Sequence, residues 1–142
     1  MSAILLIAAA AAQVVYKNPA AVAAPVGSYS HVAVVPEGSE LIMLAGQVGN
    51  RPDGSLPESV EDQYEQALRN IVALLASEGA TPAQLVKVNI YVVVPMAPER
   101  VRDIRTRLFG DARPPSTLVH VPRLSQPRFL VEVEGVAVRP KR

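Results

Sequence analysis

The residues best suited to take part in a reaction are Glu132 and Glu134, two carboxylates in the apolar run 129–138. Because strand side chains alternate between faces, both carboxylates project from the same face of a strand. An unpaired charge is costly to bury, so each carboxylate must reach water, pair with a donor or line a pocket. If the face is closed, each charge raises the pKa of the other carboxyl and favours one shared proton.

Glu132 is the member of this pair that we expect to orient or activate water, because its neighbours Leu130 and Val136 are apolar. The alternative is a structural ion pair with an arginine across a subunit boundary. His120 is expected to be an ordinary strand residue. Since His31 lies far from His120 in the sequence and the chain has no cysteine, no metal site is predicted.

The composition restricts the classes of protein that need to be considered. A chain of 142 residues, 49% hydrophobic and 19% charged, fits one domain with a sizeable core. Its formal net charge of +1 provides no basic face for DNA, and RNA is disfavoured for the same reason. The strongest basic feature is a group of arginines on one predicted helix: Arg100, Arg102, Arg105 and Arg107.

The first thirteen residues are interpreted as an apolar segment that precedes a single domain over 14–142. Residues 4–7 and the alanines after them resemble the apolar part of a secretory signal, but no Lys or Arg comes before them. The run is also shorter than the roughly 20 residues that span a bilayer. We therefore expect a cytoplasmic protein without a membrane partner. A docked or frayed segment and a misplaced start codon remain as alternatives.

The elements that must position these residues are predicted in the order β, β, β, α, β, α, β, β. The strands are expected over 13–16, 26–35, 41–45, 86–94, 113–124 and 129–138, and the helices over 59–78 and 98–109. The loop 36–40 predicts an antiparallel hairpin between the second and third strands. Ser59 and Asp62 have the spacing of a capping box, and Gly79 is a helix stop.

The apolar pattern of these elements predicts an α+β fold with a mixed sheet of five to six strands and both helices on one face. In the second helix, Val101, Ile104 and Leu108 are expected to face inward. The strands over 86–94 and 129–138 carry apolar residues on both faces, although two helices can cover only one. Another copy of the chain is the economical cover for the second face.

Several short motifs, taken in order, carry a resemblance to a known family. They are Val26-Gly27-Ser28-Tyr29-Ser30, Ala45-Gly46-Gln47-Val48, a helix ending at Gly79, the strand 86–92, Arg113-Pro114-Pro115-Ser116-Thr117 and the strand 132–138. Over 14–139 the chain resembles the RidA/YjgF family, the reactive intermediate deaminases. The resemblance implies a chorismate-mutase-like fold, a homotrimer with small-molecule ligands in clefts between subunits, and hydrolysis of amino-acid-derived imines or enamines without a cofactor.

The resemblance also implies which residues form the site. Glu132 matches the acidic residue that positions water, Tyr29 matches a tyrosine that follows a glycine motif, and Gly46 matches a glycine whose backbone approaches the ligand. Leu118 stands where the family often has cysteine. Arg102 stands where a helix often has asparagine.

Ser116 is a departure from the family pattern, because it stands where the family has the arginine that grips the substrate carboxylate. A guanidinium offers two parallel charge-assisted hydrogen bonds, whereas a hydroxyl offers one neutral bond, so carboxylate binding is expected to weaken by about 2 to 5 kcal/mol. Arg102 and Arg113 are the candidate replacement cations, and the competing interpretation of both is an ordinary solvated arginine.

Three functions therefore stay open. The first is a hydrolase of imines or enamines whose substrate is neutral or differently shaped where the carboxylate would lie. The second is a trimeric protein that binds or senses a metabolite without chemistry. The third, and least favoured, is an RNA-directed role, since some family members are labelled endoribonucleases.

Overall fold

The computed structural model describes residues 13–141, so most of the predicted segment 1–13 lies outside the described residues. Helices and strands follow one another in the predicted order. They are β1 (Val15–Lys17), β2 (Val32–Val34), β3 (Ser39–Val48), α1 (Val60–Ser77), β4 (Leu85–Val92), α2 (Pro98–Phe109), β5 (Ser116–His120) and β6 (Val131–Pro140). A 3-10 turn, Pro82–Gln84, leads into β4. The α+β class is confirmed.

The main sheet has four strands in the order β3-β6-β4-β5, while β1 and β2 form a separate antiparallel pair. The six strands are thus divided between two sheets. Strand β6 is antiparallel to both β3 and β4, and β4 is parallel to β5, so the main sheet is mixed. Its arrangement places β6, with Glu132 and Glu134, between two neighbours.

The prediction of a hairpin between the second and third strands is wrong. Strand β2 pairs with β1, and β3 pairs with β6 from Ser39 opposite Pro140 to Val48 opposite Glu132. The ten-residue β3 gains far more hydrogen bonds along β6 than the three-residue β2 could offer. The long-range pairing therefore overrides the local turn signal between them.

Helix α1 begins and ends as predicted. The Ser59 hydroxyl accepts a hydrogen bond from the Asp62 backbone N–H at 3.1 Å, which satisfies one free donor of the first turn. Gly79 follows the helix with a φ of +72°, a conformation that residues with a Cβ rarely adopt. Both helices lie on one face of the main sheet, over a core to which Tyr64, Leu68 and Ile90 contribute.

Helix α2 is turned slightly from the predicted orientation. Ile104 is buried as expected, but Val101 and Leu108 are only half-buried. Arg105 and Phe109 take their place in the interior, and Arg105 is only 6% exposed. The inward face of α2 therefore includes a cation.

The sheet face away from the helices has exposed apolar side chains, as the two-faced strands predicted. Met43 is 72% exposed on β3, and it lies opposite Val136 of β6. Val119 on the edge strand β5 is 41% exposed. Over residues 13–141, no helix is both long and apolar enough to cross a membrane.

Candidate functional site

Strand β5 directs alternate side chains toward the helices. Ser116, Leu118 and His120 lie beside Val88, Ile90 and Val92 of β4, which are buried against the helices. Neighbouring residues in paired strands share a face, so the three β5 side chains face α2. They line a cavity of about 360 Å³ between the β4–β5 edge, helix α2 and the loop 26–29. This volume is within the range of small-molecule sites.

Four of the predicted ligand-binding residues line this one cavity. They are Tyr29, Arg102, Ser116 and Leu118. Three different elements supply them, namely the loop before β2, helix α2 and strand β5. The structure thus brings together residues that are distant in the sequence, such as Tyr29 and Ser116, which are 87 positions apart.

Tyr29 is held in place by His31. The two rings meet edge to face, with centroids 5.9 Å apart and planes at 79°. The His31 ring nitrogen Nε2 lies 2.8 Å from the Ala23 carbonyl oxygen, and the His31 backbone N–H donates to the Asn18 side chain at 2.9 Å. His31 therefore connects Asn18 and Ala23 within the 18–31 loop, and its ring packs against the ring of Tyr29.

Arg105 is a cavity residue that the sequence reasoning did not single out. Its Nη2 donates a hydrogen bond to the Ser116 hydroxyl oxygen at 2.8 Å, and its guanidinium lies 5.5 Å from the centre of the Phe109 ring. The signal was present in the sequence, because Arg105 is four residues from both Val101 and Phe109 and so shares their helix stripe.

The charge of Arg105 is not balanced by a salt bridge within the described residues. The Tyr64 hydroxyl lies near the guanidinium, whose charge and weak hydrogen-bonding interaction act to lower the pKa of Tyr64, although no hydrogen bond of good geometry forms between them. Burial raises the pKa of Tyr64 and outweighs the opposing effect of the Arg105 charge, so the phenol stays neutral and supplies no counterion.

Glu132 and Gly46, the other two predicted site residues, meet on the opposite face of the sheet. The β3–β6 register shifts between Leu44 and Gln47, and this irregularity brings Gly46 against Glu132. A Cβ atom at Gly46 would overlap the Glu132 carboxylate. The glycine is therefore needed for the close approach of backbone and carboxylate.

The two glutamates of β6 differ sharply in their partners. Glu134 Oε1 accepts hydrogen bonds from Asn89 Nδ2 at 3.0 Å and from the Tyr91 hydroxyl at 2.8 Å. The hydrogen bond that Tyr91 donates to the Glu134 carboxylate raises the pKa of Tyr91, because it holds the phenolic proton. In the described part of the chain, no donor forms a hydrogen bond with the half-buried Glu132 carboxylate. Glu132 thus keeps its acceptor capacity for water or a ligand.

The candidate site consists of two halves that the main sheet separates in a single protomer. One half is the cavity with Arg105, and the other is Glu132 beside Gly46. Among residues 13–141, no group of three or more His, Asp or Glu side chains is placed to hold a metal ion. The available groups are a carboxylate that can accept a proton and a cation that can hold an anion.

Comparison with known proteins identifies the family. Residues 19–139 match the family model described as endoribonuclease L-PSP. Protein HMF1 of Saccharomyces cerevisiae is 33% identical over 102 residues, which cover 71% of this chain and 77% of that protein. The 2-iminobutanoate/2-iminopropanoate deaminase of Dermatophagoides farinae is 28% identical over 116 residues, which cover 80% of this chain and 88% of that protein.

A solved structure agrees with these matches. YyfB from Yersinia pestis, a Rid-family protein of unknown function, superposes with a TM-score of 0.76 at 26% identity. The match covers 89% of this chain and 98% of YyfB. The family model spans most of the chain and the fold is shared along nearly its whole length, so the chain belongs to the Rid family, also called RidA/YjgF.

Proposed function

We propose that the chain is a hydrolase of small imines or enamines whose active site forms between copies of the chain in a homotrimer. The observation that carries this proposal is the position of the two half-sites on opposite faces of the main sheet. A carboxylate on one face can act in the cavity of the other face only if a second copy brings it there. The two-sided apolar exposure at Met43 and Leu118 supports such packing.

The proposed chemistry assigns Glu132 as the base. Its carboxylate takes a proton from a water molecule as the water oxygen forms a bond to the imine carbon. The carbon–nitrogen π bond opens as the water adds, and Glu132 passes the proton to nitrogen, which gives a carbinolamine. Glu132 then takes the hydroxyl proton and passes it to the amine, so that the carbon–nitrogen single bond breaks, ammonia leaves and a carbonyl product remains. An enamine enters the same route after protonation at carbon. The deaminase name of the Dermatophagoides farinae relative supports this reaction class.

Subunit complementation tests the proposal directly. The Glu132→Gln variant lacks the base, and the Leu118→Trp variant fills the cavity, so each homotrimer is expected to be inactive. If each cleft takes its cavity from one subunit and its carboxylate from another, random mixing restores about a quarter of the clefts. The assay follows hydrolysis of 2-iminopropanoate, generated in situ by an amino acid oxidase, after the variants are unfolded and refolded together.

Two results would contradict the proposal. If the mixed sample is no more active than the two separate variants, the site lies within one protomer. If the wild-type protein sediments as a monomer at assay concentration, no intersubunit cleft exists. The Glu58→Gln variant, which changes an exposed carboxylate that lines neither half-site, is the control for refolding losses.

A second candidate function is a trimeric protein that binds a metabolite without turnover. Ser116 favours it, because the residue departs from the family pattern at the carboxylate-gripping position. A wild-type protein that binds a small ligand but does not accelerate imine hydrolysis would support this alternative over the enzyme.

An RNA-directed role has less support from the charge distribution. On α2, Arg107 is paired with Glu65 at 2.9 Å and with Asp103 at 3.0 Å. Arg100 lies 3.7 Å from Asp62, and Arg105 is buried. The predicted arginine cluster is therefore largely neutralised or hidden, and does not form a basic face for phosphates. Salt-sensitive binding of RNA to nuclease-free protein would reverse this assessment.

A further inference from the structure

We infer that Arg105, which reaches the cavity from helix α2, binds the carboxylate of a small monoanionic ligand. The inference rests on the proposed ligand site, and it names the ligand class. Arg105 of helix α2 would take the place of the arginine that the family has on the strand, because it lies against Ser116, which occupies that strand position here. Ser116 then serves to position Arg105.

The first observation is an uncompensated buried charge. Arg105 as a residue is only 6% exposed, so it has lost most of its contact with water, and over residues 13–141 no carboxylate pairs with it. Arg107, two residues further along the same helix, is more exposed and yet pairs with two carboxylates. A charge left unpaired in a cavity is expected where an anionic ligand completes the site.

The second observation is the number of free donors. A guanidinium has five N–H groups, and Arg105 uses Nη2 for Ser116. The Phe109 ring lies beside the guanidinium and restricts its orientation. Donors therefore remain for the two parallel hydrogen bonds that a carboxylate accepts.

The third observation concerns the hydroxyl proton of Ser116. The hydroxyl donates to the Pro114 carbonyl oxygen at 2.9 Å and accepts from Arg105 at 2.8 Å. Its single proton is thus already used, so Ser116 is an acceptor that anchors the guanidinium. It is poorly suited to donate to a ligand carboxylate itself.

The lining of the cavity favours a carboxylate over a phosphate. Ile90, Val92 and Val101 provide apolar walls, and Arg105 is the cation buried among them. Arg102 also lines the cavity but is exposed. One buried positive charge matches one negative charge, whereas a phosphate dianion would keep an uncompensated charge in an apolar site.

The test uses 2-oxobutanoate as the probe and its neutral analogue 2-butanone as the comparison, with binding measured by titration calorimetry on the full-length protein. The wild-type protein should bind 2-oxobutanoate and prefer it to 2-butanone. Arg105→Gln should weaken 2-oxobutanoate binding by about 30-fold or more. Arg105→Lys keeps the charge without the planar fork, so it should weaken binding less.

The matched control is Arg100→Gln, which removes an exposed arginine from the same helix and should leave binding unchanged. Ser116→Ala should weaken binding by a smaller factor than Arg105→Gln, and Ser116→Thr should restore it because the acceptor oxygen returns. Circular dichroism and thermal unfolding of each variant show whether it is folded. If Arg105→Gln does not fold, Arg105→Lys and the two Ser116 variants decide the question.

Three results would overturn the inference. The first is a wild-type protein that binds no 2-oxobutanoate, and the second is equal binding by Arg105→Gln and wild type. The third is dissociation of the oligomer in both Arg105→Gln and Glu132→Gln, which would reveal a structural ion pair between subunits. Because binding is measured without turnover, and Glu132→Gln should still bind 2-oxobutanoate, failure of the hydrolase proposal is distinguishable from failure of this one.

Discussion

The two faces of the main sheet hold charge in different ways. On the helix face, Arg105 is buried beside a neutral hydroxyl and an aromatic ring. On the other face, Glu134 accepts hydrogen bonds from Asn89 and Tyr91 at Oε1, whereas Glu132 has no donor among the described residues. Each face thus keeps one charge that its own protomer does not satisfy.

This difference separates structural charges from candidate functional charges. Glu134 belongs to a hydrogen-bonded network, and such a network specifies a strand arrangement when every member has a partner. Among residues 13–141, Arg105 has no ion-pair partner and Glu132 has no hydrogen-bond donor. Both lie where a ligand or a second copy of the chain can reach them. If this difference is functional, changes at Arg105 or Glu132 should impair binding or turnover, whereas changes at Tyr91 or Glu134 should impair stability.

The largest effect is expected from Glu132→Gln. Loss of the base should reduce imine hydrolysis by about 100-fold or more, because general base catalysis contributes on that scale. The free energy of unfolding should change little, since no donor among residues 13–141 forms a hydrogen bond with the Glu132 side chain. Initial rates of keto-acid formation measure the effect, with Glu58→Gln as the control. Unchanged turnover would remove Glu132 from the mechanism.

Gly46→Ala should displace the Glu132 side chain on the sheet face away from the helices. The added methyl group would overlap the Glu132 carboxylate, so the strand or the glutamate must shift. The atoms that it meets are the end of a flexible side chain without a hydrogen-bond partner among the described residues, so the glutamate can rotate away at a cost of about 1 kcal/mol or less. Turnover should fall because the carboxylate is displaced. Chemical denaturation measures the cost in stability. At Gly27 an added Cβ would come no closer than 3.6 Å to the Tyr29 ring, so Gly27→Ala is the matched control for stability.

Tyr91→Phe should weaken the structural network and leave chemistry intact. Loss of the hydrogen bond that Tyr91 donates to Glu134 should lower the free energy of unfolding. The bond raises the pKa of Tyr91, so the folded state favours the neutral phenol. Its contribution is present below the ordinary tyrosine pKa of 10.0 and is lost as the pH rises through the raised value.

The difference in stability between wild type and Tyr91→Phe should therefore shrink above about pH 10. Urea denaturation at a series of pH values measures it. A large loss of turnover in Tyr91→Phe at neutral pH would contradict the division between a structural Glu134 and a functional Glu132.

The smallest effect is expected from Glu65→Gln, which loosens the support of α2. Arg107 hydrogen bonds lower the pKa of Glu65 to about 2, so its contribution is present above the ordinary value of 4.5 and is lost as the pH falls toward 2. The ion pairs are largely exposed, so the loss at neutral pH should be about 0.5 to 1 kcal/mol. Acid unfolding curves measure it, with Glu58→Gln as the control. Equal acid sensitivity in the two variants would contradict this assignment.

Local sequence signals predicted elements but not their long-range partners. Helix α2 begins and ends at the predicted residues because Pro98 opens it and Gly110, at a φ of +58°, closes it. The local turn after β2 also predicted a hairpin, and that prediction failed because β3 pairs with the distant β6. Turn chemistry acts over a few residues, whereas strand pairing depends on the whole buried surface.

For the site, the family motifs led to Tyr29, Leu118 and Ser116, which do share a cavity. They did not lead to Arg105, because arginine is usually exposed, and this general preference outweighed the helical spacing that places Arg105 on one stripe with Val101 and Phe109. Burial is a property of how α2 sits on β5, and a one-residue change in the inward face is enough to hide or expose a side chain.

The sequence by itself determined the element order, the helix boundaries and the pair of glutamates on one strand face, because capping, turn and period-two signals are local. Only the tertiary structure decided which glutamate is satisfied and which cation lies beside Ser116. Both depend on the register of β4, β5 and β6 and on how α2 packs against the sheet. Strand pairing and helix packing bring together side chains that are distant in the chain.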